Sequence, residues 1–234
     1  MSQLRQAAIP TTTDTQQFSS ITWDEFVQLV IGLTILAYQQ MRQNCPVRQD
    51  WEENTFTDRL ADDYLRPLAF DNLPSLRVEI RSKVHTPAMK EGQQATIEAK
   101  EMDLSLYGLW ERDYWHKRFV WEAKRIGSRQ RYGSLISEFV NEAIYRFIEL
   151  EYAANLPDAG VLGYILAGSV SDIVADINQS MGRLRKNKPL PASNHLQIIA
   201  PIHQFDGVYR SSHTRADSSV IQLHHLFLTF EFIE

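Results

Sequence analysis

The feature that most constrains the fold is a change of residue periodicity in the middle of the chain, from strand to helix and back. Three runs rich in alternating or β-branched residues, at 75–84, 95–108 and 117–127, are typical of strands. An apolar stripe at helical spacing follows at 135–156, and a glycine-bounded apolar run at 160–169 is typical of a buried strand. This succession predicts an α/β fold.

A strongly apolar segment near the N-terminus predicts a first helix. Thr22 and Glu25 have the spacing of a capping box, so the helix is expected to begin there and to run to about Gln43. Its apolar stretch at 26–38 is shorter than the roughly 20 residues that a membrane span requires, so no membrane anchor is expected. Such a helix is buried either in its own core or against a partner chain, and the sequence leaves both open.

Further elements lie on both sides of the central strands. They are an amphipathic helix at 48–69 that ends near Pro67, a helix at 169–188 opened by Ser169, and closing strands at 196–202 and 219–232. The predicted order is therefore α, α, β, β, β, α, β, α, β, β. Residues 209–215 are expected to form a polar loop that contacts nucleic acid or a partner.

Composition limits the class of protein. With 234 residues and 44% hydrophobic content, one domain is expected over 21–234, after a flexible Thr-, Gln- and Ser-containing arm at 1–20. A net charge of −5 does not indicate a bulk electrostatic nucleic-acid binder, so any phosphate-binding surface must be local. The single cysteine, Cys45, excludes an internal disulfide and a structural cysteine-based zinc site. The arm lacks the pattern of a secretory signal, and a cytoplasmic location is expected.

Two opposite charges stand inside the strand-like run RFVWEAKRIG at 118–127. Residues two apart share a face of a strand, so Glu122 and Lys124 lie side by side. A hairpin to the preceding strand is expected to bring Asp103 to Glu122. Paired carboxylates suit Mg²⁺ or Mn²⁺, and a neighbouring ammonium suits metal-assisted phosphodiester hydrolysis. The alternative is a surface ion pair, worth roughly 0.2 to 1 kcal/mol.

Asp103 followed by Glu122-Ala123-Lys124 resembles the signature of the PD-(D/E)xK nuclease superfamily, the restriction-endonuclease-like proteins. The resemblance covers roughly residues 48–170. It implies an α-β-β-β-α-β core with a mixed central sheet flanked by helices, to which an N-terminal helix and C-terminal strands are added. Met102 stands where the family name has a proline.

The resemblance also implies roles for residues of the site. The implied metal ligands are Asp103, Glu122 and the carbonyl of Ala123. Lys124 would act on water or phosphate, and the first core helix would contribute Glu53 or Glu52. The second core helix would bring Arg131 or Tyr132, just before its start.

Basic residues near the motif are candidates for phosphate contacts. Arg125, Arg129 and Arg131 follow it directly, whereas the basic run at 183–188 also suits a helix C-terminus. Five histidines crowd the C-terminal third: His195, His203, His213, His224 and His225. Their spacing matches no metal-ligand pattern, so zinc is not expected.

The resulting hypothesis is a Mg²⁺- or Mn²⁺-dependent nuclease. No base-reading module is evident in the sequence, so low sequence specificity is expected, with DNA favoured over RNA. The resemblance implies an effector of a defence or restriction system, controlled by a sensor or regulatory subunit or by self-assembly. The alternative is a catalytically inactive subunit that keeps the fold and serves binding or assembly.

Overall fold

A computed structural model describes residues 21–83, 89, 91–93, 100–108, 118–183 and 189–233. The helices are α1 (Trp23–Asn44), α2 (the contiguous segments Glu53–Asp58, Arg59–Leu65 and Arg66–Asn72), α3 (Arg129–Glu138, Phe139–Ile144 and Tyr145–Ile148) and α4 (Val170–Met181). The strands are β1 (Leu76–Lys83), β2 (Glu101–Gly108), β3 (Arg118–Gly127), β4 (Asp158–Ala167), β5 (Gln197–Ile198), β6 (Val208–Thr214) and β7 (Val220–Thr229). A short 3₁₀ turn, Ala192–Asn194, precedes β5.

The strands form one mixed sheet in the order β1-β2-β3-β4-β7-β6-β5. Strands β3, β4 and β7 are parallel to one another, and the outer pairs on both sides are antiparallel. The prediction of an α/β fold with a mixed central sheet flanked by helices is confirmed. None of the helices in the described part of the chain has the length and apolar character needed to span a bilayer.

Side chains of β3 alternate between two hydrophobic cores, one on each face of the sheet. Phe119 and Trp121 pack in the core that α1 and α2 cover. Val120 and Ile126 pack in the core that α3 and α4 cover. The parity predicted for this strand is therefore confirmed, and β3 is a central strand whose two faces are both buried.

The first helix is buried in the core of its own chain. The capping box forms as predicted: Thr22 Oγ1 accepts from the Glu25 N–H, and the Glu25 carboxylate accepts from the Thr22 N–H at 2.8 Å. Tyr38 donates its hydroxyl to the Thr229 carbonyl at 2.5 Å, which ties α1 to β7. Of the two alternatives left by the sequence, the structure therefore shows burial within this chain.

The predicted end of α2 near Pro67 is wrong, because the helix continues to Asn72. Proline removes an N–H and its ring crowds the carbonyl four residues earlier. The preceding segment Arg59–Leu65 is π-helical. The wider π turn accommodates the proline without ending the helix.

The helix predicted at 135–156 is displaced in the structure. It begins at Arg129, so Arg131 and Tyr132 lie in its first turn rather than before it, and it ends at Ile148. Leu150 and Ala153 then take positive φ angles, which a helix does not allow. The buried Arg215 guanidinium donates to carbonyls of this segment, those of Ala153, Ala154 and Leu156. These contacts replace the helical hydrogen bonds.

The prediction of a polar loop at 209–215 is also wrong. Most of this segment is strand β6, which pairs antiparallel with β7. Its polar side chains Ser211 and His213 are buried and bind each other. Two other predicted elements are too long. The closing strand predicted at 196–202 is limited to the two residues of β5, and the helix predicted at 169–188 ends at Met181.

Some predicted features lie outside the described residues. They are the N-terminal arm at 1–20, the start of the second predicted strand at 95–99, the connection at 109–117, and most of the basic run, 184–188.

Candidate functional site

Strands β2 and β3 separate at the predicted motif. Their last paired residues are Leu104 and Trp121, so Asp103 and Glu122 are the next residues in register. Instead of a backbone carbonyl, the Asp103 carboxylate accepts the Ala123 N–H, at 2.7 Å. The N–H and C=O of a strand residue point to the same side, so the Ala123 carbonyl faces this gap too. We call this opening, bounded by Asp103, Glu122 and Ala123, the fork.

Helix α2 closes the fork on the β3 side through its first residue. Glu53 accepts the Arg125 N–H at 3.1 Å and the Lys124 Nζ at 3.0 Å. The carboxylate therefore binds two successive residues of β3 beyond the point where β2 leaves it. Glu52, the alternative from the sequence, instead pairs with the Arg125 guanidinium at 2.9 Å and is largely exposed.

The Lys124 ammonium lies between two carboxylates. It is 2.8 Å from Glu122 Oε1 and 3.0 Å from Glu53 Oε1. The Glu122 side chain is 4% exposed and that of Lys124 is 14% exposed. Such burial contradicts the alternative of a surface ion pair.

The carboxylates of the site are harder to ionise than ordinary ones. Burial, and then the charge of Asp103, raise the pKa of Glu122 to about 8. Burial also raises the pKa values of Asp103 and Glu53, against the opposing attraction of Lys124. For Lys124, burial acts to lower the pKa, but Glu122 and Glu53 outweigh it and the pKa rises. The site thus holds three carboxylates and one ammonium, which contacts Glu122 and Glu53, and it has an excess of negative charge when all are ionised.

The fork offers ligands that fit one divalent cation. Within the described ranges, no group of three or more His, Cys, Asp or Glu side chains is arranged to hold a metal ion. Mg²⁺, however, is commonly held by one or two carboxylates, with water and substrate phosphate completing its shell. Asp103 and Glu122, with the carbonyl of Ala123, supply this set. A cation would offset the charge of Asp103, which adds to the effect of burial in raising the pKa of Glu122. The Glu53 carboxylate is not counted among these ligands, because it already accepts hydrogen bonds from Lys124 and from the Arg125 N–H of β3.

Tyr152 is a member of the site that the sequence did not reveal. Its hydroxyl lies 3.4 Å from Glu122 Oε1 and accepts from the Arg146 guanidinium, which also stacks over the Tyr152 ring. Tyr152 lies beyond the end of α3, in the segment that Arg215 holds. The periodicity placed it inside a helix, so no local signal pointed to Glu122.

The predicted phosphate-binding residues have different surroundings. Arg125 donates to the Trp51 carbonyl at 3.2 Å in addition to its ion pair with Glu52. Arg129 pairs with Asp176 of α4 at 3.3 Å and so joins α3 to α4. Both side chains therefore hold structural elements together.

Arg131 and Tyr132 lie together at the start of α3. Arg131 is exposed, and its guanidinium stands 5.3 Å above the Tyr132 ring. The ring lies so close to Gly127 that a Cβ there would be 2.5 Å from it. Of Arg125, Arg129 and Arg131, Arg131 is the one that the structure leaves exposed.

Among the residues that the structure describes, the C-terminal histidines form no group that could hold a metal ion. His224 Nε2 lies 2.9 Å from Asp158, whose other oxygen accepts from Trp23 Nε1 at 2.6 Å. His213 and His225 each place Nε2 2.8 Å from Ser211 Oγ. His224 is thus paired with Asp158, and His213 and His225 share Ser211, all within the sheet.

Acid should weaken the fold through His213. Its buried Nδ1 has no hydrogen-bond partner among the described residues, and burial lowers its pKa from 6.5 to about 4. Below pH 6.5 the unfolded chain therefore binds more protons at His213 than the folded chain does. The free energy of unfolding consequently falls as the pH falls. The quantity to follow is the free energy of unfolding of wild type minus that of His213→Gln. We expect this difference to be about 2 kcal/mol smaller at about pH 5 than at about pH 8. Urea unfolding of both proteins measures it; a pH-independent difference contradicts it.

Comparisons with known proteins found no relative. A scan against protein-family models, a search of curated proteins and a search of solved structures each gave no match to this chain.

Proposed function

We propose that this protein is a Mg²⁺- or Mn²⁺-dependent nuclease of the PD-(D/E)xK, restriction-endonuclease-like kind. The observation that carries the proposal is the fork itself. Asp103 and Glu122 are brought together where β2 leaves β3, and Lys124 contacts Glu122 at 2.8 Å. Buried paired carboxylates with a raised pKa and a partner charge are more typical of functional sites than of sheet surfaces.

The order of elements supports the same proposal. Helix α2, strands β1 to β3, helix α3 and strand β4 follow one another as in the α-β-β-β-α-β core that the resemblance implies. Strands β1, β2 and β3 are successive antiparallel neighbours, and β4 lies parallel to β3. On this proposal, α1, α4 and β5 to β7 are additions around that core.

The residues of the fork divide the chemistry of phosphodiester hydrolysis. Asp103, Glu122 and the Ala123 carbonyl would hold the divalent cation, which when bound polarises a phosphate and makes a water more acidic. Lys124 orients a water or offsets charge that develops on the phosphate. Glu53 is a second carboxylate that holds the ammonium, in addition to Glu122.

The proposed substrate is DNA, bound through its phosphates with low sequence specificity. Exposed Arg131 is the best placed of the predicted cations for such a contact, although an acidic chain needs help to hold a polyanion. We therefore propose that a sensor or regulatory subunit, or self-assembly, directs the nuclease to its target. A role as an effector in defence or restriction follows from the resemblance.

A second candidate is an inactive subunit that keeps the fold for binding or assembly. The observation that favours it is the pairing of Lys124 with both Glu122 and Glu53. An ammonium held twice, beside a carboxyl whose pKa is about 8, is also a stable structural cluster.

A cleavage assay separates the two candidates. Purified protein with Mg²⁺ or Mn²⁺ is incubated with matched duplex DNA, single-stranded DNA and RNA, at several salt concentrations. We expect DNA to be cut in many sequence contexts, chelator to abolish cutting, and rising salt to suppress it. If all three substrates stay intact with each metal, alone and with partners co-purified from the native host, the inactive subunit is the better account.

A further inference from the structure

A backbone irregularity in β1 lies directly across from Asp103. Ile80 pairs with Leu104 and Ser82 with Met102, so Arg81 occupies the position opposite Asp103. Arg81 has a φ of +51°. The described part of the chain has six non-glycine residues with positive φ, and Arg81 is the one inside a strand. A left-handed non-glycine residue persists only where its surroundings impose it, and such residues cluster at functional sites.

The irregularity directs a guanidinium towards α2. Arg81 Nη1 lies 2.6 Å from Asp58 Oδ1. The same helix presents Glu53 to Lys124, so α2 extends over the fork from β3 to β1. Cations therefore stand on both sides of Asp103: Lys124 on β3 and Arg81 on β1.

Arg81 differs from Lys124 in its access to solvent. Its side chain is 39% exposed, whereas that of Lys124 is 14% exposed. An arginine has five N–H donors, and among the described residues Asp58 is the hydrogen-bond partner of the guanidinium, through one nitrogen. The other donors suit a phosphate group, which an arginine can bind through two parallel N–H···O hydrogen bonds.

We propose that Arg81 binds a backbone phosphate of the nucleic-acid substrate beside Asp103. The inference rests on the proposed nuclease function and adds a substrate contact that the sequence motif does not include. The competing role is structural, in which Arg81 only tethers β1 to α2 through Asp58.

Two substitutions distinguish a phosphate contact from a tether. Arg81→Gly and Asp58→Asn both break the ion pair, but only Arg81→Gly removes a cation. Glycine is chosen because it adopts positive φ without strain, so this variant is expected to fold. Arg77→Ala is the matched control, since Arg77 is an exposed arginine of the same strand that donates to the Pro74 carbonyl.

The measurement is the affinity for a fluorescent DNA duplex, by anisotropy, across a range of salt. Ca²⁺ replaces Mg²⁺, and electrophoresis of the recovered duplex verifies that it is uncut. We expect Arg81→Gly to bind about tenfold more weakly and to lose about one unit of the salt slope. Asp58→Asn is expected to bind at least as tightly as wild type, because it frees the guanidinium and removes a negative charge. Arg77→Ala is expected to match wild type.

Each other outcome overturns the inference in a recognisable way. If Arg81→Gly binds like wild type, Arg81 makes no phosphate contact and the nuclease proposal is unaffected. If Asp58→Asn weakens binding as much as Arg81→Gly does, Arg81 is a tether. If wild type binds neither duplex DNA nor matched single-stranded DNA and RNA, the inference and the proposed function fail together.

Discussion

Replacing Lys124 with alanine is expected to lower turnover by a factor of about 10² or more while leaving cation binding intact. Lys124 ligates nothing in the proposed site. Its ammonium is held 2.8 Å from Glu122 and 3.0 Å from Glu53, in position to act on water or phosphate. Removing it takes away a positive charge that competes with the cation, so Mn²⁺ affinity is expected to be unchanged or higher. Single-turnover cleavage and calorimetry measure the two quantities.

The control for this substitution must remove a lysine without touching the fork. Lys100→Ala serves, since Lys100 is 56% exposed and lies 4.0 Å from Glu151. Thermal unfolding of Lys124→Ala shows whether the loss of the ammonium beside Glu122 and Glu53 has unfolded the protein. A folded Lys124→Ala protein that cleaves at the wild-type rate would show that the ion cluster is structural.

Replacing Asp103 with asparagine is expected to abolish cleavage and to lower Mn²⁺ affinity at least about tenfold. Asparagine keeps an oxygen that can accept the Ala123 N–H, now bound at 2.7 Å, so the fork should hold its shape. The substitution removes an anionic oxygen, and a hard cation held by only two carboxylates binds much more weakly when one of them becomes neutral. The loss is therefore expected to be chemical, with little change in the free energy of unfolding.

Asp63, an aspartate of α2 outside the fork, provides the matched control for Asp103. Asp63→Asn also converts an aspartate to asparagine, and Asp63 forms an ion pair with Arg59 within the helix. It is expected to bind Mn²⁺ and cleave like wild type. If Asp103→Asn loses Mn²⁺ binding but keeps cutting, Asp103 is not the catalytic ligand.

The predictable part of the structure followed from local patterns. Alternation along RFVWEAKRIG gave the two buried faces of β3, and the Thr22 capping box gave the start of α1. The contact of Glu122 with Lys124 also followed, because residues two apart in a strand share a face. The contact of Glu53 with Lys124 agrees with what the family resemblance implied.

The unpredicted parts depend on partners distant in sequence. Strand β6 buries Ser211 and His213, whose polarity suggested a loop. Their hydrogen-bond chain is completed by His225 on β7, which bonds Ser211, and Ser211 in turn bonds His213. Tyr152 approaches Glu122 from a segment held by Arg215. The positive φ angle of Arg81 likewise could not be predicted, because the sequence around it has the pattern of a regular strand. In each case the contact that decides the conformation is nonlocal.

The most direct test of the proposed site is calorimetric Mn²⁺ titration of wild type, Asp103→Asn and Lys124→Ala, run beside cleavage of one DNA substrate by the same preparations. We expect wild type to bind Mn²⁺ and cut, Lys124→Ala to bind Mn²⁺ with little or no cutting, and Asp103→Asn to bind Mn²⁺ at least about tenfold more weakly and not to cut. Cleavage by Asp103→Asn at the wild-type rate would contradict this expectation, and the buried charges of β3 would then be an ion cluster that stabilises the sheet.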